Sequence, residues 1–94
     1  MISRQDAITA VQTALDATKI RLLHVPTYGV YLHADEQLKI MLDMLALDML
    51  PPASERTFVD IGIMAVKELE AEEPEYADAL MLASYNFKNA EIPN

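Results

Sequence analysis

The sequence predicts an all-α protein, a small antiparallel bundle of about four helices, and three observations carry that prediction. Its hydrophobic share of 52% rests on Ala, Leu and Met more than on Val, Ile and aromatic residues, a balance that suits helix better than sheet. Apolar residues recur at three- and four-residue spacing, the period of a helix with one buried face. Breaks fall where Pro and Gly sit, at Pro26, Gly29, Pro51, Pro52 and Pro74, and they leave short connections. The 94 residues are expected to form a single domain, able to bury roughly 60 to 65% of the unfolded chain's surface without metal or disulfide.

Four helices are expected, at about residues 3–23, 31–50, 54–70 and 74–88. The first opens on Ser3 with Asp6 three residues later, a capping-box arrangement, and places Ile8, Val11, Leu15 and Leu22 on one side. Pro26 and Gly29 then interrupt the chain before the second helix, which Pro51 and Pro52 stop. In it Leu38, Met41, Leu42, Leu45 and Met49 form a stripe while Ile40, Met44 and Leu47 point elsewhere. A helix apolar nearly all round sits centrally, or packs with one face and offers the other to a partner.

Ser54 is the expected cap of the third helix, through which Phe58, Ile61, Gly62, Ala65, Val66 and Leu69 repeat at helical spacing. Glycine inside a helix costs about 1 kcal/mol relative to alanine, so Gly62 is read as a point of close approach by a neighbouring helix. Pro74 suits the first turn of the fourth helix, whose inward face is Tyr76, Leu80, Ala83 and Phe87. Glu72, Glu73 and Glu75 lie favourably against its dipole. The tail "AEIPN" is expected to fray.

Composition narrows the function classes. There is no cysteine, so disulfides, thiolate metal sites and cysteine nucleophiles are excluded. A net charge of −8 repels phosphate backbones and anionic membranes, so neither nucleic acid nor membrane is expected as a partner. The N-terminus lacks the pattern of a signal peptide and no apolar run reaches the length of a span, which makes the cytoplasm the expected location.

His24 and His33 lack the i, i+4 spacing of paired ligands and no ExxH motif accompanies them, so no metal or other cofactor is expected. With two glycines in the chain there is no phosphate-cradling loop, and no Ser-His-Asp order resembles a hydrolase. No catalytic residue is expected, and the protein is read as a non-enzyme. The methionines of the second helix read as core filler or as an adaptable binding face.

The stretch "PTYGVYLHADEQL" differs from the rest. Tyr28 and Tyr31 stand beside a Pro/Gly-shaped connection, where tyrosine offers large contact area and a hydroxyl at low entropic cost. Tyr31 and Leu32 equally fit a structural role, fastening the second helix to the core. Glu68, Glu70, Glu72, Glu73 and Glu75 straddle the third connection, where a solvated corner and a partner-binding patch both fit.

The stretch "PTYGVYLHADEQLKIMLDML", followed by "GIMAVKELEAEEPEYADALMLASYN", resembles a family of small bacterial immunity proteins that neutralise NAD(P)+ glycohydrolase toxins of type VI secretion systems. The resemblance is carried by Tyr28, Val30 and Leu32, by Ala34, Gln37, Leu38 and Ile40, and by the "AVKE" block of Ala65, Val66, Lys67 and Glu68. It continues through Pro74, Glu75, Ala79, Leu80 and Tyr85. The first helix, the methionine-rich end of the second and the Pro51-Pro52 connection depart from the pattern. The resemblance implies a non-enzymatic antitoxin that occludes its toxin's active site, in a 1:1 complex. Expected toxin contacts are Tyr28, Tyr31, His33, Asp35 and Glu36, with Asp43, Glu68, Glu70, Glu72 and Glu73. Leu38, Ala65, Val66 and Leu80 are read as core. The competing class is a homodimeric helical adaptor that self-associates through the second helix.

Overall fold

The computed structural model describes residues 2–91. Its helices are α1 (Arg4–His24), α2 (Gly29–Ala46), α3 (Ile61–Glu68) and α4 (Pro74–Asn89), with a 3-10 turn at Ala53–Glu55. The described residues contain no strand, and one isolated bridge joins Ile2 to Ala90. The all-helical expectation is met.

α1 is the organising element. It packs on α2 and on α4, α4 carries α3, and α2 meets α3 over a short stretch. Arg4 bonds Asp48 just past the end of α2 at 3.2 Å, and Thr18 near the end of α1 meets Tyr76 at the start of α4 at 2.7 Å. Both pairs are antiparallel. The molecule measures 41 × 22 × 19 Å, its long axis set by the 21 residues of α1, a rod of about 31 Å.

Val11 and Leu15 of α1, Leu38, Met41 and Leu45 of α2, Ile61 of α3, and Leu80 and Phe87 of α4 are buried in one cluster. Each such side chain contributes about 1.5–3 kcal/mol by leaving water. Ser3 caps α1 as the sequence predicts, its Oγ accepting from the Asp6 amide at 3.0 Å. Pro74 occupies the first turn of α4. A Cβ added at Gly62 would lie 3.1 Å from Ser84 Oγ and 3.2 Å from Ser84 Cβ, so the glycine does let α3 and α4 approach closely.

Several expectations are corrected. α2 begins at Gly29, before Tyr31, because Tyr28 serves as its N-cap residue, its carbonyl accepting from the Leu32 amide. α2 also stops at Ala46 rather than about Leu50. Asp48 takes a left-handed conformation with φ 57° and the Met49 amide bonds back to the Met44 carbonyl at 2.8 Å, the Schellman closure that ends a helix without proline. Met49 therefore leaves the apolar stripe and is exposed.

The third helix is confined to Ile61–Glu68, so Ser54 lies in the 3-10 turn and caps nothing, and Phe58 lies before the helix. Two side chains hold this connection away from helical geometry. Arg56, 2% exposed, sends Nε to the Pro51 carbonyl at 2.7 Å and Nη1 to the carbonyls of Phe87, Lys88 and Ala90 at 3.0, 3.1 and 2.8 Å. It thereby caps the C-terminus of α4 with a cation. Gln37 Oε1 accepts from the amides of Asp60 and Ile61 at 2.9 and 3.0 Å, and its Nε2 donates to the Phe58 carbonyl at 3.2 Å. It does for α3 what an N-cap side chain does from within the same strand of chain.

Val66, expected in the core, is 52% exposed, because α3 buries only the side that carries Ile61 and Ala65. The tail does not fray at its start: Ala90 is buried and the Glu91 amide bonds the Ile2 carbonyl at 2.9 Å. The remaining tail residues, Ile92 to Asn94, lie outside the described residues.

Candidate functional site

Two surfaces gather the sequence-predicted residues. The first lies where the end of α1, the start of α2 and the α3–α4 connection meet. Tyr31 is buried and its hydroxyl donates to Glu73 Oε2 at 2.5 Å. Arg21 Nε donates to Glu73 Oε1 at 2.7 Å and its Nη1 to the Ala17 carbonyl at 3.1 Å. The Arg21 guanidinium also lies 4.0 Å from the centre of the Tyr76 ring, a cation–π contact.

Thr18 donates its single hydroxyl hydrogen to the Ala14 carbonyl at 2.8 Å, so in the 2.7 Å contact between them the Tyr76 hydroxyl is the donor. Tyr28 stands at the outer end of this network, edge-on to Tyr31 at 4.8 Å and 83°, and is 38% exposed. Tyr31 is thus a buried support and Tyr28 the ring it presents.

The network shifts the ionisation of its members. Burial pushes the Tyr31 hydroxyl up to about 12, with the hydrogen bond to Glu73 and that carboxylate's charge adding to the effect. Burial works to raise Glu73, but the bonds from Tyr31 and Arg21 and the Arg21 charge outweigh it, and the carboxyl sits below its ordinary value. Glu73 is therefore an ionised partner within the fold, engaged at one oxygen by Arg21 and at the other by Tyr31.

The second surface is the outward face of α2. Leu32, Glu36, Ile40, Asp43 and, just past the helix, Leu47 are all exposed, and their three- and four-residue spacing stacks them along one line. The ridge alternates apolar and acidic groups. Leu47, Ile40 and Leu32 are among the large exposed apolar residues, and among the described residues neither Glu36 nor Asp43 has an ion-pair partner. Tyr28 lies at the head of the ridge, about 22 Å from Asp43 at helical rise.

The other predicted residues fall beside these surfaces. His33 Nε2 lies 2.6 Å from Asp60 Oδ1. That bond, foremost, and the imidazole's charge lower the Asp60 carboxyl against the opposing effect of burial. Asp35 turns inward: its Oδ2 meets Lys39 at 2.6 Å while Oδ1 is buried with no partner, so it is not a free surface carboxylate. Glu68, Glu70 and Glu72 are exposed around the end of α3, and no described cation pairs with them.

Sequence reasoning missed Arg21, Thr18, Tyr76 as a polar partner, Arg56 and Asp60. Thr18 and Gln37 did carry a signal, since each is a polar side chain on an apolar stripe and must find a partner when buried. Nothing in the spacing pointed to Arg21 or Arg56. Among the described residues no group of three or more His, Asp or Glu is placed to hold a metal, and no helix is long and apolar enough to cross a membrane.

A small helical protein whose aromatic, apolar and unpaired acidic groups are displayed along an outer helix face belongs to the class that works through contact with another protein. The Tsi6 family model matches residues 6–89. The chain belongs to that family and is a type VI secretion immunity protein, as the resemblance in its central and C-terminal segments implied. No curated protein and no solved structure gives a match.

Proposed function

We propose that the protein neutralises a cognate NAD(P)+ glycohydrolase toxin in the cytoplasm by seating the α2 ridge over the toxin's active-site cleft, in a 1:1 complex and without catalysis of its own. The observation that carries this is the alternation of Leu32, Ile40 and Leu47 with the unpaired Glu36 and Asp43 on one exposed helix face headed by Tyr28. A cleft that takes a dinucleotide needs cationic groups for its phosphates, and carboxylates on a rigid helix are matched to the same groups. The apolar side chains between them supply the desolvated contact that holds such an interface together.

Tyr31, Arg21 and Glu73 act behind this surface. By locking the start of α2 to α1 and to the α3–α4 connection, they hold Tyr28 in place before the toxin arrives, which lowers the ordering cost of association. Pairing of the same ridge in a homodimer sets Glu36 and Asp43 of two acidic molecules against each other, and favours the toxin as occupant.

The test is NAD+ hydrolysis by the cognate toxin domain, titrated with the purified protein. The expected result is a linear fall to near zero at one equivalent. Full hydrolysis in the presence of excess folded protein rejects the reading.

A further inference from the structure

An open groove of about 660 Å3 runs between α1 and α4. Its floor is built from small and apolar groups, notably Ala10, Ala79 and Leu82, and its rim carries Asp6, Glu75 and Asp78. Ala10 and Ala79 are too short to fill the space between the two helices, and Leu82 is 54% exposed beside it. Among the described residues no cation lines the groove, and none of the three rim carboxylates has an ion-pair partner. The furrow between two packed helices is the natural seat of a third, with apolar anchors below and charges at the edges.

We propose that this groove is a docking site for a basic amphipathic helix of a partner protein, its apolar face on Ala10, Ala79 and Leu82 and its lysines or arginines on Asp6, Glu75 and Asp78. Charge decides the occupant. The chain's net charge of −8 and the acidic outer faces of its own helices, Glu36 and Asp43 on α2 and Glu75 and Asp78 on α4, oppose a second copy. They attract a cationic helix and speed its approach. The groove contains no α2 residue, so this site is separate from the toxin-facing ridge and stands or falls independently of it.

The test uses the full chain and a stapled helical peptide with leucines on one face and lysines on its flanks, compared with the same peptide carrying glutamates in place of the lysines. Amide NMR titration is expected to place the shifts at Ala10, Thr13, Ala79 and Leu82 for the lysine peptide, and none for the glutamate peptide. Asp78→Lys with Glu75→Lys is expected to weaken binding about tenfold or more, since it reverses two attractive contacts. Leu82→Asp, at an exposed position that leaves the fold intact by circular dichroism, is expected to weaken it similarly. Shifts centred on Glu36 and Asp43 or spread without a centre overturn the proposal, as does equal affinity in the charge-reversed variant. So do groove signals that move with protein concentration alone, which identify a second copy as the occupant.

Discussion

Glu73 accepts from Tyr31 and Arg21 at once, and that gives the junction of α1, α2 and the α3–α4 connection a pH signature. Its carboxyl is lower in the folded chain than in the unfolded one. As pH falls from about 5 the unfolded state takes up the proton first, so the network's stabilisation is complete above that range and lost on further acidification. Glu73→Gln is expected to flatten the acid limb of a melting-temperature profile. Tyr31 works at the other extreme, since its folded value is about 12 against about 10 for the unfolded chain. Stability should be lost as pH rises between the two values, and Tyr31→Phe should reduce that loss when unfolding is followed against pH, the buried Tyr76, also raised, keeping part of it. Arg56→Met is expected to cost about 3 kcal/mol in urea unfolding, because it strips a charge-assisted donor from buried carbonyls at the end of α4. The residue scale is also where the sequence is least legible. Arg21 and Glu73 are 52 positions apart and Arg56 stands alone among turn residues, so only tertiary packing brings each to its partners. Gln37 and Thr18 were legible in principle as polar intrusions on apolar stripes.

The helices themselves were largely legible, because periodicity and punctuation by proline reflect burial and backbone geometry directly. Ser3 and Pro74 act locally and stand where predicted. α2 and α3 were misjudged for a common reason: their true ends are set by side chains and backbone groups that spacing does not reveal. The left-handed Asp48 closes α2 ahead of the two prolines, and Gln37 of α2 supplies the cap that α3 lacks. Gln37→Leu is expected to destabilise the protein by about 1–3 kcal/mol by leaving the first amides of α3 unpaired. The α3–α4 contact offers a second element-scale check. At Gly62 alanine trades a helix-propensity gain of about 1 kcal/mol against a contact with Ser84 at 3.1–3.2 Å. Gly62→Val adds bulk without that gain and is expected to cost about 1–3 kcal/mol by calorimetry.

At the scale of the whole molecule, the packing of α2 against α1 on one face leaves the opposite face free to carry Leu32, Glu36, Ile40 and Asp43 as one rigid line. In the proposed complex the acidic charge and the apolar side chains have different duties. Charge speeds encounter and falls off with salt, whereas buried apolar contact governs dissociation. Raising ionic strength is therefore expected to slow association with the toxin more than it speeds dissociation in a surface-capture experiment. The amphipathic, exposed character of α2 was readable from the sequence, but which acidic residues stood free was not. Asp35 and Glu73 have the same chemistry as Glu36 and Asp43, yet Asp35 turns inward and pairs with Lys39, and Glu73 pairs with Arg21 and Tyr31.

The proposal that the α2 ridge faces the toxin is tested by how well the double variant Glu36→Lys with Ile40→Asp, both on exposed positions, inhibits the NAD+ hydrolysis proposed for the cognate toxin domain. A variant that keeps its helicity and melting temperature but needs at least about a hundredfold more protein to inhibit, the loss of about 3 kcal/mol of interface energy, is the predicted result. Undiminished inhibition by the folded variant contradicts the account and moves the toxin-binding surface off α2.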